Sequence, residues 1–232
     1  QDNIAPIAVC QDFTVALDAT GNATIVAGDI DNGSSDNDSV ASLSLDTSSF
    51  TCADLGTNTV TLTVTDPSGN SSTCTATVTV EDNINPTAVG QDITVQLDAT
   101  GNATITTADI DNGSSDNCGA PTLGLDVASF GCADVGPNTV TLTATDGSGN
   151  SDSTTATVTV EDNIDPTAVC QDITIQLDAS GNASIVAGDI DIGSSDNCSV
   201  SLSADVTSFT AADLGANTVT LTVTDPSGNT AV

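Results

Sequence analysis

The chain has 232 residues with no Lys, Arg, His, Met, Trp or Tyr, and its 32 carboxylates give a formal charge of −32. Without a basic side chain it cannot neutralise phosphate, which excludes nucleic-acid binding and attachment to anionic lipid. Catalysis would need its base, its oxyanion clamp and its activated nucleophile from Asp, Ser and Cys alone, so the chain is read as no enzyme.

Apolar residues make up 38% of the sequence and fall into short alternating runs, the mark of folded strands rather than of an acidic disordered chain. No run reaches the roughly 18 to 20 apolar residues of a membrane span, and Gln1 opens into repeat sequence without a charged or apolar leader. Any export signal or anchor is therefore expected outside these residues. Asp2-Asn3-Ile4-Ala5-Pro6 returns as Asp82-Asn83-Ile84-Asn85-Pro86 and as Asp162-Asn163-Ile164-Asp165-Pro166, an offset of 80 residues that most other signatures share. The spacing predicts three repeats, 1–81, 82–161 and 162–232. The last is short by several residues, as expected of a segment cut from a longer array.

In the first repeat, Phe13-Val15-Leu17 alternates with polar residues and enters Asp18-Ala19-Thr20-Gly21-Asn22, after which an apolar pattern resumes from Ala23 to Ile30. This predicts a hairpin. Thr59 to Thr65 has a strict period of two, turns at Asp66-Pro67-Ser68-Gly69-Asn70, and is answered by an alternating run from Cys74 to Val80, a second hairpin. Adding Ala8-Val9, Val40 to Leu45 and the stretch around Phe50 gives about seven short strands per repeat. The fold class is thus all-β, a tandem series of antiparallel sandwiches. Modules this small bury only about 60% of their unfolded surface, so staples of cysteine or metal are expected.

Seven cysteines occupy four positions of the repeat. In the second repeat Gly90 and Thr154 replace Cys10 and Cys74 together while Cys118 and Cys132 both remain. Joint loss predicts the bridges Cys10–Cys74 and Cys118–Cys132. Cys170 would pair with position 233, and Cys52 and Cys198, whose counterparts in their own repeats are Asp38 and Ala211, are expected unpaired. With no His and no CxxC, zinc is set aside. Disulfides imply an oxidising, extracellular setting.

Carboxylates cluster in three places. Asp29, Asp31 and Asp36 fall within eight residues, repeated as Asp109, Asp111, Asp116 and as Asp189, Asp191, Asp196. Glu81-Asp82-Asn83 and Glu161-Asp162-Asn163 sit at the repeat junctions ahead of Pro86 and Pro166, and Asp66, Asp146 and Asp225 open the Asp-x-Ser-Gly-Asn turns. Six to eight oxygens suit Ca²⁺, and a chain without bases has only cations from solution to meet such charge. For the Asp66-type turn two readings stand, a metal loop or a plain Asx turn; for the other two clusters calcium is the expectation. Gly33 and Val40 stand at the wrong places for an EF-hand. Loops from one end of a sandwich gather, so the clusters can converge on shared ions.

The order Asp-Asn-x-x-Pro, an early Cys, Ser-Asp-Asn-Cys, Phe-x-Cys-Ala-Asp-x-Gly, Asn-Thr-Val-Thr-Leu-Thr, Asp-x-Ser-Gly-Asn and Thr-Ala-Thr-Val-Thr-Val-Glu-Asp resembles the hyalin repeat and related bacterial surface modules over the whole chain. That resemblance implies an immunoglobulin-like sandwich used in extracellular adhesion. Val80-Glu81-Asp82-Asn83-x-x-Pro86 is similar to the calcium linker of cadherins, without the extra acidic residue that precedes the linker motif there. The expected function is an extracellular structural protein, a calcium-rigidified array forming a cell-surface stalk or filament with its neighbouring repeats as partners. The alternative is an adhesin module binding a glycan or a cell-surface partner. Asn22-Ala23-Thr24, Asn32-Gly33-Ser34 and Asn102-Ala103-Thr104 also fit the N-glycosylation pattern, a short motif that an Asn- and Thr-rich chain produces by chance.

Overall fold

The computed structural model describes residues 2–232. The chain forms two compact units, one holding residues up to Gly90 with Asp111–Gly124 and Leu142–Thr154, the other Gln91–Ile110, Leu125–Thr141 and Thr155–Val232. The middle repeat contributes to both.

The first repeat supplies six strands: β1 (Phe13–Ala16), β2 (Asn22–Thr24), β3 (Ser42–Leu45), β4 (Ser49–Thr51), β5 (Gly56–Thr65) and β6 (Ser71–Glu81). The strongest period-two runs become the longest pair, β5 and β6, antiparallel with Thr65 opposite Ser71 and Gly56 opposite Val80. They form the middle of a four-stranded sheet ordered β1-β6-β5-β3, and a two-stranded sheet, β2 with β4, is the other layer. Val60, Leu62 and Val64 of β5 and Ala76, Val78 and Val80 of β6 point inward onto Leu17, Ala23, Ile25, Ile30 and Phe50. Alternation places the Thr side chains of β5 on the opposite face. This is an immunoglobulin-like sandwich with a single apolar core.

The structure departs from the sequence expectation in three respects, and the first repeat has six strands where about seven were expected. The first hairpin is a corner: the turn exists, with Asp18 Oδ1 accepting from the Thr20 N–H at 2.8 Å and Gly21 at φ +72°, but its two arms enter different sheets. β1 runs parallel to β6, Phe13 beside Val78, while β2 pairs antiparallel with β4. The apolar run after Ala23 then ends in a single helical turn, α1 (Ala27–Ile30), because Asp29 Oδ2 accepts from the Val26 N–H at 2.8 Å and caps it. Ala8-Val9 forms no strand; its neighbours Ile7 and Cys10 make isolated bridges to Ser35 and Asp31.

The second repeat reproduces this set as β7 (Ile93–Gln96), β8 (Asn102–Thr104), α2 (Thr107–Ile110), β9 (Thr122–Leu125), β10 (Ser129–Gly131), β11 (Gly136–Thr145) and β12 (Ser151–Glu161), with sheet orders β7-β12-β11-β9 and β10-β8. The third holds β13 (Asn182–Ser184), β14 (Ser201–Ala204), β15 (Ser208–Thr210), β16 (Leu221–Thr224) and β17 (Thr230–Ala231). The counterpart of β1 there, around Ile173 and Ile175, is not a strand. Ile173 is 39% and Ile175 38% exposed.

Three disulfides form, and two of them correct the expected pairing. Cys10–Cys74 ties the segment before β1 to β6, as joint loss implied. Cys118 and Cys132 are both bridged but not to each other: Cys52 joins Cys118 and Cys132 joins Cys198, with Cα atoms 5.3 and 5.5 Å apart. Each links one repeat to the next across 66 residues. Cys52 and Cys198, expected unpaired, are therefore partners of the neighbouring repeat, and Asp38 and Ala211 are simply the two clip positions that lack a cysteine. Closing a loop of that size removes about 4 kcal/mol of unfolded-chain entropy. Cys170 is free and exposed among the described residues.

The clips press repeats together at the corner turns. A Cβ on Gly21 would lie 2.6 Å from Cys52 Sγ and 2.9 Å from the Asn117 carbonyl oxygen, and one on Gly101 would lie 2.7 Å from both Cys132 Sγ and the Asn197 oxygen. Gly181, the third copy, has nothing within 4 Å. All three have positive φ, so alanine costs each about 1–2 kcal/mol of backbone strain. Gly101→Ala additionally meets backbone and a disulfide sulfur that cannot swing away. Urea unfolding should show Gly101→Ala more damaging than Gly181→Ala by about 1–3 kcal/mol; equal losses would mean the two surfaces do not touch as described.

Candidate metal centre

The first two repeats each draw three Asp, from the start of the repeat, the mid-repeat loop and the Asp-x-Ser-Gly-Asn turn, into one place. Asp82 comes from the junction, Asp116 from the loop after α2 and Asp146 from the β11–β12 turn, and each offers a carboxylate oxygen within 4.8 Å of the other two. Asp2, Asp36 and Asp66 do the same in the first repeat. In the third, Asp162 and Asp196 approach each other beside Cys198, whose sulfur is already spent in its disulfide. Asp225 reaches this pair through Asn229, whose Nδ2 donates to Asp225 Oδ2 at 2.7 Å and to the Asp162 carbonyl at 2.9 Å.

Local hydrogen bonding fixes these side chains and leaves selected oxygens bare. Asp146 Oδ1 accepts from the Ser148 and Asn150 N–H groups at 2.9 and 2.7 Å, and Asn150 Nδ2 donates to Asp146 Oδ2 at 2.7 Å and to the Asp82 carbonyl at 2.9 Å. Asp82 Oδ1 accepts from the Ile84 N–H and from Asn117 Nδ2, at 3.1 and 3.2 Å. Asp116 Oδ2 accepts from the Cys118 N–H at 2.9 Å. What remains is Asp82 Oδ2, Asp116 Oδ1 and Asn117 Oδ1, all buried and without a partner, and the same holds for Asp162 Oδ2, Asp196 Oδ1, Asn197 Oδ1 and Asp36 Oδ1. Asp82 and Asp162 are only 5% and 4% exposed. Such oxygens cost several kcal/mol each unless something meets them. Two oxygens bound to one Ca²⁺ at about 2.4 Å stand at most about 4.8 Å apart, so the carboxylate spacing suits one hard cation.

The other expected ligands accept hydrogen bonds near themselves. Asp29 caps α1, Asp109 Oδ2 accepts from the Thr106 N–H and hydroxyl, and Asp189 Oδ2 from the Val186 N–H. Asp31, Asp111 and Asp191 each accept from the N–H of the Ser three residues on, at 3.1, 2.9 and 3.0 Å. Glu81 and Asn83 are exposed and bond each other at 3.3 Å. Glu161 accepts from Gln96 Nε2 at 2.7 Å and from Asn163 Nδ2 at 3.3 Å. Asp66, Asp146 and Asp225 are both Asx turns and members or neighbours of a cluster, so the two readings of that turn are compatible. Sequence reasoning did not single out Asp2, Asn117, Asn197, Asn150 or Asn229. Recurrence of Asn in Ser-Asp-Asn and in Ser-Gly-Asn at every copy was the available signal.

The Asn after Asp116 and the Asn after Asp196 also cross to the preceding repeat. Asn117 Nδ2 lies 3.4 Å from the Asp18 carbonyl, and Asn197 Nδ2 lies 3.3 Å from that of Asp98.

No family model and no curated protein matches the chain. Solved structures that align with it include the I-band fragment I67–I69 of titin, 11% identical, covering 99% of this chain and 96% of that one with a TM-score of 0.44. Protocadherin Gamma B2 extracellular cadherin domains 1–5 align at 12% identity over 99% of this chain and 58% of that one, TM-score 0.35. Protocadherin Gamma B7 extracellular cadherin domains 1–4 align at 13% identity over 87% and 63%, TM-score 0.33. The chain thus spans less than two thirds of the protocadherin chains.

Hydrogen bonds hold several carboxylates below the usual range. The Thr20 hydroxyl does this for Asp18, together with the Thr20 and Asn22 N–H groups, and the Thr61 N–H does so for Asp46. For Asp66 and Asp146 burial pushes upward, but donors from Asn70 or Asn150 and the turn N–H groups outweigh it. A carboxyl depressed in the folded state contributes stability that is whole above its unfolded value near 3.9 and lost as pH falls through the folded value. Relief of the −32 charge acts the other way, and 1 M salt, with a Debye length of about 3 Å, suppresses it. In chelator and 1 M salt, urea-unfolding stability should be flat from pH 7 to 5 and fall below about pH 4. A stability that holds or rises down to pH 2 would show that these bonds are not charge-assisted.

Proposed function

We propose that this chain is a segment of an extracellular structural array whose repeats are held in fixed register by calcium. One ion would be bound by Asp82, Asp116 and Asp146, and others by the equivalent groups of the first and third repeats. The observation that carries this reading is the convergence of buried, unpartnered carboxylate oxygens in a chain without one basic side chain. Disulfides, three in 232 residues, support an oxidising compartment outside the cell. A stalk or filament follows from serial repetition with covalent and ionic links at each junction. A non-enzymatic role is supported by the lack of His, Lys, Arg and Tyr, and by clusters repeated in every module rather than gathered in one cleft. A glycan-binding role lacks its usual aromatic platform, since Phe50, Phe130 and Phe209 are buried in their sandwiches.

Ca²⁺ in this reading takes Asp82 Oδ2, Asp116 Oδ1, a carboxylate oxygen of Asp146 and the Asn117 side-chain oxygen, with water completing the shell. Because it binds the ordered junction and not the unfolded chain, it stabilises by mass action, about 2.7 kcal/mol per site at a hundredfold excess over Kd.

Calorimetric titration of the metal-stripped protein should show calcium binding and a raised melting temperature, both reversed by chelator. Asp116→Asn or Asp82→Asn should remove the middle site, whereas Asp109→Asn, which touches only a helix cap, should leave calcium binding intact. No heat of binding, with the same melting temperature in calcium and in chelator, would overturn the proposal.

A further inference from the structure

The two inter-repeat disulfides change which covalent route through the chain is shortest. From Cys52 to Cys198 the backbone alone runs 146 residues, about 510 Å when fully extended. With the clips closed, the route is Cys52 to Cys118 through sulfur, then the short stretch to Cys132, then sulfur again to Cys198. That stretch holds β9 and β10 and spans about 49 Å at most, so the two ends of the route separate by no more than about 60 Å. With these two clips alone, the strands β5, β6, β7, β8, β11, β12 and β13 lie in the two bypassed loops. Asp38 and Ala211 stand where further clips would begin, so the clipped set closes over these three repeats.

We propose that the clips make this three-repeat block a tension-limiting link: end-to-end load is carried by Cys52–Cys118, the segment 119–131 and Cys132–Cys198, and β7, β8, β11, β12 and β13 in the bypassed loops are shielded from it. Opening a sandwich under load then lengthens the block little, because unfolded chain inside a closed loop cannot pay out. Cys10–Cys74 extends the short circuit into the first repeat and puts one hairpin back on the load path, since the shortest route goes from Cys10 through sulfur to Cys74 and back through the β5–β6 turn and β5 to Cys52. The inference concerns covalent topology and does not depend on whether the acidic clusters bind calcium.

Topology sets different lengths for different clips. Pulled from its two termini, the oxidised chain should reach about 290 Å once everything non-covalent has opened, against about 810 Å for the fully reduced chain. Removing the second clip with Cys132→Ser and Cys198→Ser should add about 66 residues, or about 230 Å. Removing the first with Cys52→Ser and Cys118→Ser should add only about 22 residues, or about 77 Å, because Cys10–Cys74 still offers a short cut.

Single-molecule stretching of the whole chain between terminal handles, with and without a phosphine reductant, reads these lengths directly. Final extension is measured after unfolding, so a variant that folds poorly still reports its covalent route, and a non-reducing peptide map of each sample identifies its bridges. The expected result is the unequal gain of the two double variants, with the same final lengths in calcium and in chelator even where calcium alters the opening force. Equal gains from the two variants would overturn the proposal. So would an oxidised native chain that runs out to about 810 Å, or one that stops near 540 Å, the length set by Cys118 bonded to Cys132.

Discussion

Negative charge without any basic side chain to meet it is the constraint on which the rest of this structure depends. An ordinary domain neutralises a buried or crowded carboxylate with Arg or Lys; here the donors can only be N–H groups, amides and hydroxyls. The chain therefore bends its backbone around its aspartates. Asp18, Asp31, Asp46, Asp66 and their copies each gather turn or strand-end N–H groups, and the Gly residues at positive φ supply the curvature those turns need. The abundance of Asp, Asn, Gly and Thr is thus one solution to one problem. Its remainder is the set of oxygens no backbone donor reaches, and these collect where Asp82, Asp116 and Asp146 meet.

Three consecutive residues, Asp116-Asn117-Cys118, couple that remainder to the neighbouring repeat. The Asp116 carboxylate belongs to the acidic cluster, the Asn117 amide touches both Asp82 and the corner turn of the preceding repeat, and Cys118 is bonded to Cys52. The Cys118 N–H also donates to Asp116, so the clip and the cluster share a hydrogen bond. The Asp196-Asn197-Cys198 segment repeats this arrangement with Asp162, Asp98 and Cys132. Closeness at this joint is what makes Gly21 and Gly101 necessary, whereas Gly181, with no neighbour against it, keeps its glycine for the turn alone.

The sequence displayed what depends on local periodicity and hid what depends on topology. Strict alternation along Thr59–Thr65 and Cys74–Val80 gave β5 and β6 with their turn, and the joint replacement of two cysteines by Gly90 and Thr154 in the second repeat identified Cys10–Cys74. Comparison within a repeat could not find the clips, because a pair related by 66 residues in an 80-residue period looks the same as two partners 14 residues apart inside one copy. The corner at Asp18–Gly21 carries every residue of a hairpin turn, and only the pairing of β1 with β6, more than sixty residues away, turns it into a change of sheet. In the acidic clusters, composition marked the loops but not which of their members keep a buried oxygen without a partner. Asp29, Asp31 and Asp36 all accept from backbone N–H groups within three residues, but Asp36 keeps its Oδ1 buried and without a partner, a difference that lies in loop geometry rather than in spacing.

Clip and cluster restrain different motions. A disulfide fixes the distance between two points but leaves rotation about the line through them, so it bounds extension more than orientation. A cation held as proposed by Asp82, Asp116, Asp146 and Asn117 would restrain orientation, because those oxygens come from the junction, the loop after α2 and the β11–β12 turn at once. Each also lowers the cost of the other. With Cys118 tied to Cys52, the loop bearing Asp116 has already lost much of the freedom that gathering like charges would otherwise have to overcome. The first repeat shows the distinction: Asp2, Asp36 and Asp66 converge as their counterparts do, yet Asp38 stands at the clip position, so local turns suffice to assemble the carboxylates and the covalent bond serves the junction.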